Sequence, residues 1–226
     1  MNNFNIEKYK NYGIGLSKKC FEEILKILNN LDNINILEFG SGFSTNFFID
    51  YKLFSGKNIS ITSFDNDEKY AYKNTNNHNF IKLHILPLVS CNEEKFNKLF
   101  NKDKKYIGEY FSLHKSLPNR PIWRQRNCFY KITNELDNKK FDIVLIDGPH
   151  GNGRNIAYLH LINKLNKGSY FIIDDYNSKD DNFDYNFIGY LKKLYNVKEI
   201  CTYSYKSKNR EDEWNNGGNF AIYQLI

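Results

Sequence analysis

Four short apolar runs constrain what this chain can fold into more than any other feature. They are "INILEF" (34–39), "NISITSFD" (58–65), "FDIVLID" (141–147) and "SYFIID" (169–174). The last two are nearly uniformly apolar, with little alternation. A strand apolar on both faces is buried on both faces, as in a parallel sheet covered by helices. Helical patterns lie between the runs. "SKKCFEEILKILNNL" places Phe21, Ile24, Leu25 and Leu28 on one stripe, with Ser17 as N-cap. "STNFFIDYKLF", "DEKYAYKNT", "NIAYLHLINKLN" (ending before Gly168) and "FDYNFIGYLKKLY" also read as helices, and "FIKLHILPLV" as the third strand. "VKEICTYSY" and "GNFAIYQLI" close the chain with no helix between them, which predicts a terminal antiparallel hairpin.

The expected fold is therefore α/β and Rossmann-like. It has a seven-stranded, mostly parallel sheet with helices on both faces and an antiparallel last strand. One domain over 1–226 is expected, with an insertion at about 90–136 between strands 3 and 4. A simple crossover needs only about 10–12 residues, so that stretch reads as a lid or substrate loop. Eight Lys or Arg face two acids between Lys102 and Lys131, a surplus that equals the whole chain's net charge of +6. The insertion thus reads either as a solvated loop or as a rim attracting anions.

Other classes are set aside by composition. No apolar run reaches the roughly 18–20 residues of a membrane span. No apolar signal segment follows "MNNFNIEKYKNYG", and the four cysteines form no CxxC pair. A reduced cytoplasmic setting is the expectation.

"ILEFGSGFSTNFFID" (36–50) places Gly40 and Gly42 between a strand and a helix. The third glycine of a nicotinamide fingerprint is replaced by Thr45, and no Lys follows Gly42 as a P-loop needs. Two acids stand nearby instead: Glu38, before the glycines, and Asp65, at the end of the next strand. A carboxylate there accepts hydrogen bonds from both hydroxyls of a ribose. In this motif and in element order, the chain resembles the class I S-adenosylmethionine-dependent methyltransferases. The resemblance implies S-adenosyl-L-methionine as cofactor. Glu38, Gly40, Gly42, Ser44 and Thr45 would lie around the methionyl end, Asp65 at the ribose, and Leu88, within residues 86–89, near the adenine.

Asp147 ends the fourth strand, and Asp174 and Asp175 the fifth. Carboxylates converging on one sheet edge repel unless a cation or proton joins them, and an oxygen-rich set suits Mg²⁺ or another divalent cation. Asp147, Asp174 and Asp175 are the candidate metal ligands. Their spacing resembles that of the metal-dependent O-methyltransferases of the catechol and sugar-modifying types. "DGPHG" departs from the D-G-D of the sugar branch and is similar to the D-G-P-x-G of plant polysaccharide O-methyltransferases. Asp147 and His150 are the catalytic candidates, His150 as base. Arg120, Trp123, Arg124, Arg154 and Trp214 are the substrate-binding candidates, as cationic and stacking groups.

The expected activity is methyl transfer to a hydroxyl of a sugar, glycan or nucleotide-sugar, with an anionic small-molecule or glycan acceptor; a homodimer is compatible with the sequence, which does not fix the oligomeric state. A cap or tRNA methyltransferase is the second reading and predicts salt-dependent RNA binding. A cofactor-binding partner subunit without catalysis is the third.

Overall fold

The computed structural model describes residues 4–9, 15–69, 71–72, 78–100, 127–177, 179–180, 183–184, 186–204 and 218–226. The strands are β1 (Asn33–Phe39), β2 (Asn58–Asp65), β3 (Ile81–Ile85), β4 (Leu88–Ser90), β5 (Cys128–Tyr130), β6 (Phe141–Ile146), β7 (Leu165–Asp174), β8 (Lys179–Asp180), β9 (Phe183–Asp184), β10 (Val197–Ser204) and β11 (Asn219–Leu225). The α-helices are α1 (Lys18–Asn29), α2 (Phe43–Ser55), α3 (Glu93–Leu99), α4 (Ala157–His160) and α5 (Phe187–Leu194).

Seven strands form one sheet in the order β10-β11-β7-β6-β1-β2-β3. Neighbours from β3 to β7 pair in parallel, while β11 runs antiparallel to both β7 and β10. This is the expected sheet, with its reversed last strand. Because β1 has β2 on one side and β6 on the other, chain order reverses there. The crevice at the carboxyl ends of such strands is where ligands bind in open α/β sheets.

The uniformly apolar strands serve two cores at once. Ile143 and Leu145 of β6 pack with α1 and α2, through Phe21, Ile24, Phe47 and Phe48. Val144 and Ile146 face the other way, toward Phe96, Tyr158, Phe187 and Leu191 of α3, α4 and α5. All four β6 residues are fully buried. Each contributes about 1.5–3 kcal/mol over leaving it in water. The edge strands β3 and β10 are only partly covered.

α1 starts where its sequence says: the Ser17 hydroxyl accepts from Cys20 N–H at 3.2 Å. Five local expectations are corrected. The third strand breaks at Leu86–Pro87, beyond which β4 leaves the sheet and pairs with β5. Pro87 has no N–H to donate to a ladder; its carbonyl instead accepts from Lys131 N–H at 3.0 Å. The described part of "DEKYAYKNT" is a turn rather than a helix, with Asp67 Oδ1 accepting from Lys69 N–H at 2.8 Å. The segment before β7 is a 3₁₀ turn (Asn152–Ile156) followed by the single turn α4, so the long helix is absent there. Gly168 lies inside β7, at φ +81°, rather than capping a helix. The last crossover helix begins only at Phe187, with Phe183–Asp184 upstream in β9.

Candidate active site

The carboxyl ends of β1, β2, β6 and β7 meet at the crevice beside β1. Gly40 and Gly148 show what the first glycine approaches: another stretch of backbone. A Cβ on Gly40, at φ +95°, would lie 2.8 Å from Gly148 N. A Cβ on Gly148 would lie 2.7 Å from Gly40 Cα and 2.5 Å from the Tyr130 hydroxyl oxygen. The Phe39 carbonyl accepts from both Asp147 N–H, at 2.9 Å, and Gly148 N–H, at 2.6 Å. Gly40 N–H donates to the Phe64 carbonyl at 2.9 Å. Three strand ends are thereby clamped together, with a cis peptide at Gly148–Pro149. Gly42 caps α2, its N–H donating to Thr45 Oγ1 at 2.9 Å.

Glu38 lies beneath this clamp, wholly buried. Its carboxylate accepts from the hydroxyls of Thr45 and Ser63, each at 2.6 Å, and from that of Ser44. Burial pushes its pKa up to about 7, against the three hydroxyl bonds, and the charge of Asp147 adds to the rise. Glu38, Ser44 and Thr45 thus hold one another and fix the start of α2, with their polar atoms turned inward.

Asp65 stands one strand over, 8 % exposed. Its Oδ1 accepts from Asn66 N–H at 2.7 Å and Asp67 N–H at 3.0 Å. Its Oδ2 accepts from both N–H and Oγ of Ser41, at 3.1 Å each. Asp65 therefore ties the glycine turn to the turn after β2. Its backbone carbonyl accepts from Leu86 N–H at 2.8 Å, which sets the path into β4 and half-buried Leu88.

The acidic group at β6 and β7 assembles as the spacing suggests, with an arginine among the carboxylates. Asp147 and Asp174 are hydrogen-bonded to each other. Burial raises Asp174 well above the usual carboxylate range, and the charges of Asp147 and Asp175 add to the rise. Burial also raises Asp147, with Arg154 and the bond from Asp174 opposing. A bond between two carboxyl groups requires one proton, which the pair shares. Asp175 turns outward at φ +54°. Arg154, from the 3₁₀ turn, reaches in among them with a side chain only 7 % exposed. Its Nε donates to the Pro149 carbonyl at 2.8 Å and its Nη1 to the Asp174 carbonyl at 3.4 Å. Nη2 lies 3.7 Å from Asp147 Oδ1, and Nη1 lies 3.6 Å from Asp175 Oδ2. Among the described residues no three His, Cys, Asp or Glu side chains are grouped as a metal ligand set.

Glu38, Asp65 and Asp147 share one neighbourhood, since Asp147 feels the charge of Asp65 and Glu38 that of Asp147. Asp147 keeps a fifth of its side chain exposed, and His150, three residues on, is exposed. Arg120, Trp123, Arg124 and Trp214 lie outside the described residues. Sequence reasoning missed Tyr130. Its buried hydroxyl sits against Gly148, within electrostatic reach of Asp65, Arg154, Asp147 and Glu38. "NCFYKI" carries no signal for this, because β5 reaches the crevice only through its pairing with β4. The sequence offers Arg154 as a substrate-binding candidate, and its place beside Asp147 and Asp175 depends on a fold-back that spacing does not encode.

No family model matches this sequence, and no curated protein does. Solved structures match along nearly the whole chain. An O-methyltransferase from Bacillus cereus in complex with S-adenosylhomocysteine superposes with a TM-score of 0.54 at 13% identity, over 98% of this chain and 87% of that one. A putative O-methyltransferase from Klebsiella pneumoniae gives 0.52 at 11% identity, over 98% and 86%. A precorrin-6y C5,15-methyltransferase from Geobacter metallireducens gives 0.51 at 12% identity, over 94% and 90%. The fold of this chain is that of the class I S-adenosylmethionine-dependent methyltransferases.

Proposed function

We propose that this protein is an S-adenosylmethionine-dependent O-methyltransferase whose acceptor is a hydroxyl of a sugar, glycan or nucleotide-sugar. The observation that carries the reading is that Asp65 and Asp147 end the two strands flanking β1, on either side of the glycine clamp, with Asp147 within reach of the charge of Asp65. The donor set suits the cofactor: a carboxylate at a β2 end is an acceptor for ribose hydroxyls, and an acidic edge favours a sulfonium cation. Bound there, S-adenosylmethionine supplies an electrophilic methyl group.

The chain's own residues do the rest. Asp65 accepts the ribose hydroxyls, which take the place of the Ser41 hydroxyl on its Oδ2. The backbone from Gly40 to Gly42 borders the methionyl end, held from below by Glu38, Ser44 and Thr45. Leu88 borders the adenine. Asp147 presents its exposed carboxylate oxygen to the acceptor hydroxyl, and His150 takes the proton. Alignment of acceptor oxygen with the methyl group is the main catalytic effect, and general-base assistance adds about 10²–10⁴-fold. Arg120, Trp123, Arg124 and Trp214 are the proposed acceptor contacts. The surplus of Lys and Arg at 102–131 favours an anionic acceptor.

A methyl-release screen over sugars, nucleotide-sugars and capped RNA tests this reading. Turnover on a sugar hydroxyl, lost in Asp147→Ala, supports it. Turnover confined to RNA overturns it in favour of the nucleic-acid reading.

A further inference from the structure

A divalent cation at this edge would need room among Asp147, Asp174 and Asp175. Arg154 already has that room. All three of its guanidinium nitrogens are engaged, at Pro149 and Asp174 carbonyls and beside the carboxylates of Asp147 and Asp175. Its side chain is 7 % exposed, so the guanidinium charge is buried although Asp147 and Asp175 reach solvent. Mg²⁺ takes oxygen ligands at about 2.0–2.1 Å in octahedral array. Beside a buried guanidinium it would meet strong repulsion in a medium of low dielectric. Its ligands would also have to leave the arginine, a change of partners that buried ion pairs resist. The acidic group as folded does not fit a divalent cation.

We infer that the guanidinium of Arg154 is the built-in counter-ion of the Asp147–Asp174–Asp175 group, taking the place of a divalent metal, and that it positions Asp147 without one. Arg154 is thereby a positioning residue, acting through Asp147. The guanidinium is planar and permanently charged, with donors on two sides. It can hold carboxylates from two strand ends, whereas a lysine would offer a single point charge. A consequence for the proposed reaction, on which this step rests, is that the acceptor needs no pair of adjacent oxygens to chelate a metal. One hydroxyl facing Asp147 suffices.

The test is a Mn²⁺ titration of the full chain followed by electron paramagnetic resonance, with S-adenosylhomocysteine binding measured by calorimetry on the same samples. Wild type should show no saturable Mn²⁺ site that Asp174→Asn removes. Arg154→Met, which removes the charge and keeps much of the volume, should gain one, with affinity raised about tenfold or more. Arg154→Met combined with Asp174→Asn should lose it again. A wild-type site with one Mn²⁺ per chain, abolished by Asp174→Asn, overturns the inference; this arm stands even if Arg154→Met fails to fold. A folded Arg154→Met that gains no Mn²⁺ also overturns it. Absence of S-adenosylhomocysteine binding refutes the methyltransferase reading and leaves the Mn²⁺ result to judge the arginine by itself.

Discussion

The glycine clamp after β1 and the acidic group after β6 and β7 hold buried carboxylates in opposite ways. Beneath the clamp, Glu38 is surrounded by neutral donors, the hydroxyls of Ser44, Thr45 and Ser63, and is closed to solvent. At the acidic group, Asp147 is hydrogen-bonded to Asp174 and stands beside the guanidinium of Arg154, and a fifth of it remains exposed. Neutral donors can hold a shape, but they leave the cost of desolvating the charge largely unmet, which is why Glu38 titrates so high. A full opposite charge lets a carboxylate stay near the surface of a crevice and still be held. In the proposed function the first region is scaffold and the second carries the chemistry, although both lie on one sheet edge.

The contrast breaks most visibly at Asp147. Asp147→Ala should lower methyl transfer by about 10²–10⁴-fold, the range of a positioned acid–base group, with cofactor affinity little changed. Initial rates on the acceptor found by the screen, alongside calorimetry, check this. Gly40→Ala attacks the clamp instead. The added Cβ meets Gly148 N at 2.8 Å in a left-handed conformation. A loss of about 3 kcal/mol of stability is expected, from strain and overpacking together, with weakened cofactor binding. Urea denaturation reads it.

Glu38→Gln sharpens the difference in titration. The folded chain holds a proton on Glu38 up to about pH 7, while the unfolded chain releases it near 4.5. A raised acid pKa therefore makes stability fall as pH rises through that window, by about 3 kcal/mol in full. The variant should lack that slope, so the wild-type-minus-variant difference, followed by urea denaturation across the window, is the measurement. The smallest effect lies away from both regions. Ser17→Ala removes the cap of α1 and should cost about 1 kcal/mol, leaving cofactor affinity untouched.

These two regions were unequally legible. The sheet could be read because uniform apolar runs such as Ile143–Ile146 demand two covering layers, and the reversed β11 because no helix separates it from β10. The clamp was half legible: Gly40 signalled a close approach, but its partner Gly148 is more than a hundred residues away, and only the fold joins them. The convergence of Asp147, Asp174 and Asp175 followed from strand ends sharing an edge. The arginine among them did not follow, because a 3₁₀ turn in place of a long helix swings Arg154 inward. Pro87 diverted the third strand into the β4–β5 ribbon, which is how Tyr130 arrives beneath the clamp without any local signal.

The most direct test of the account is calorimetric titration of the full chain with S-adenosylhomocysteine, for wild type and Asp65→Asn. One molecule is expected per chain, bound about tenfold or more weakly in the variant, the loss expected when bonds to a charged acceptor are removed. No binding to wild type, or equal affinity in the two proteins, would contradict it.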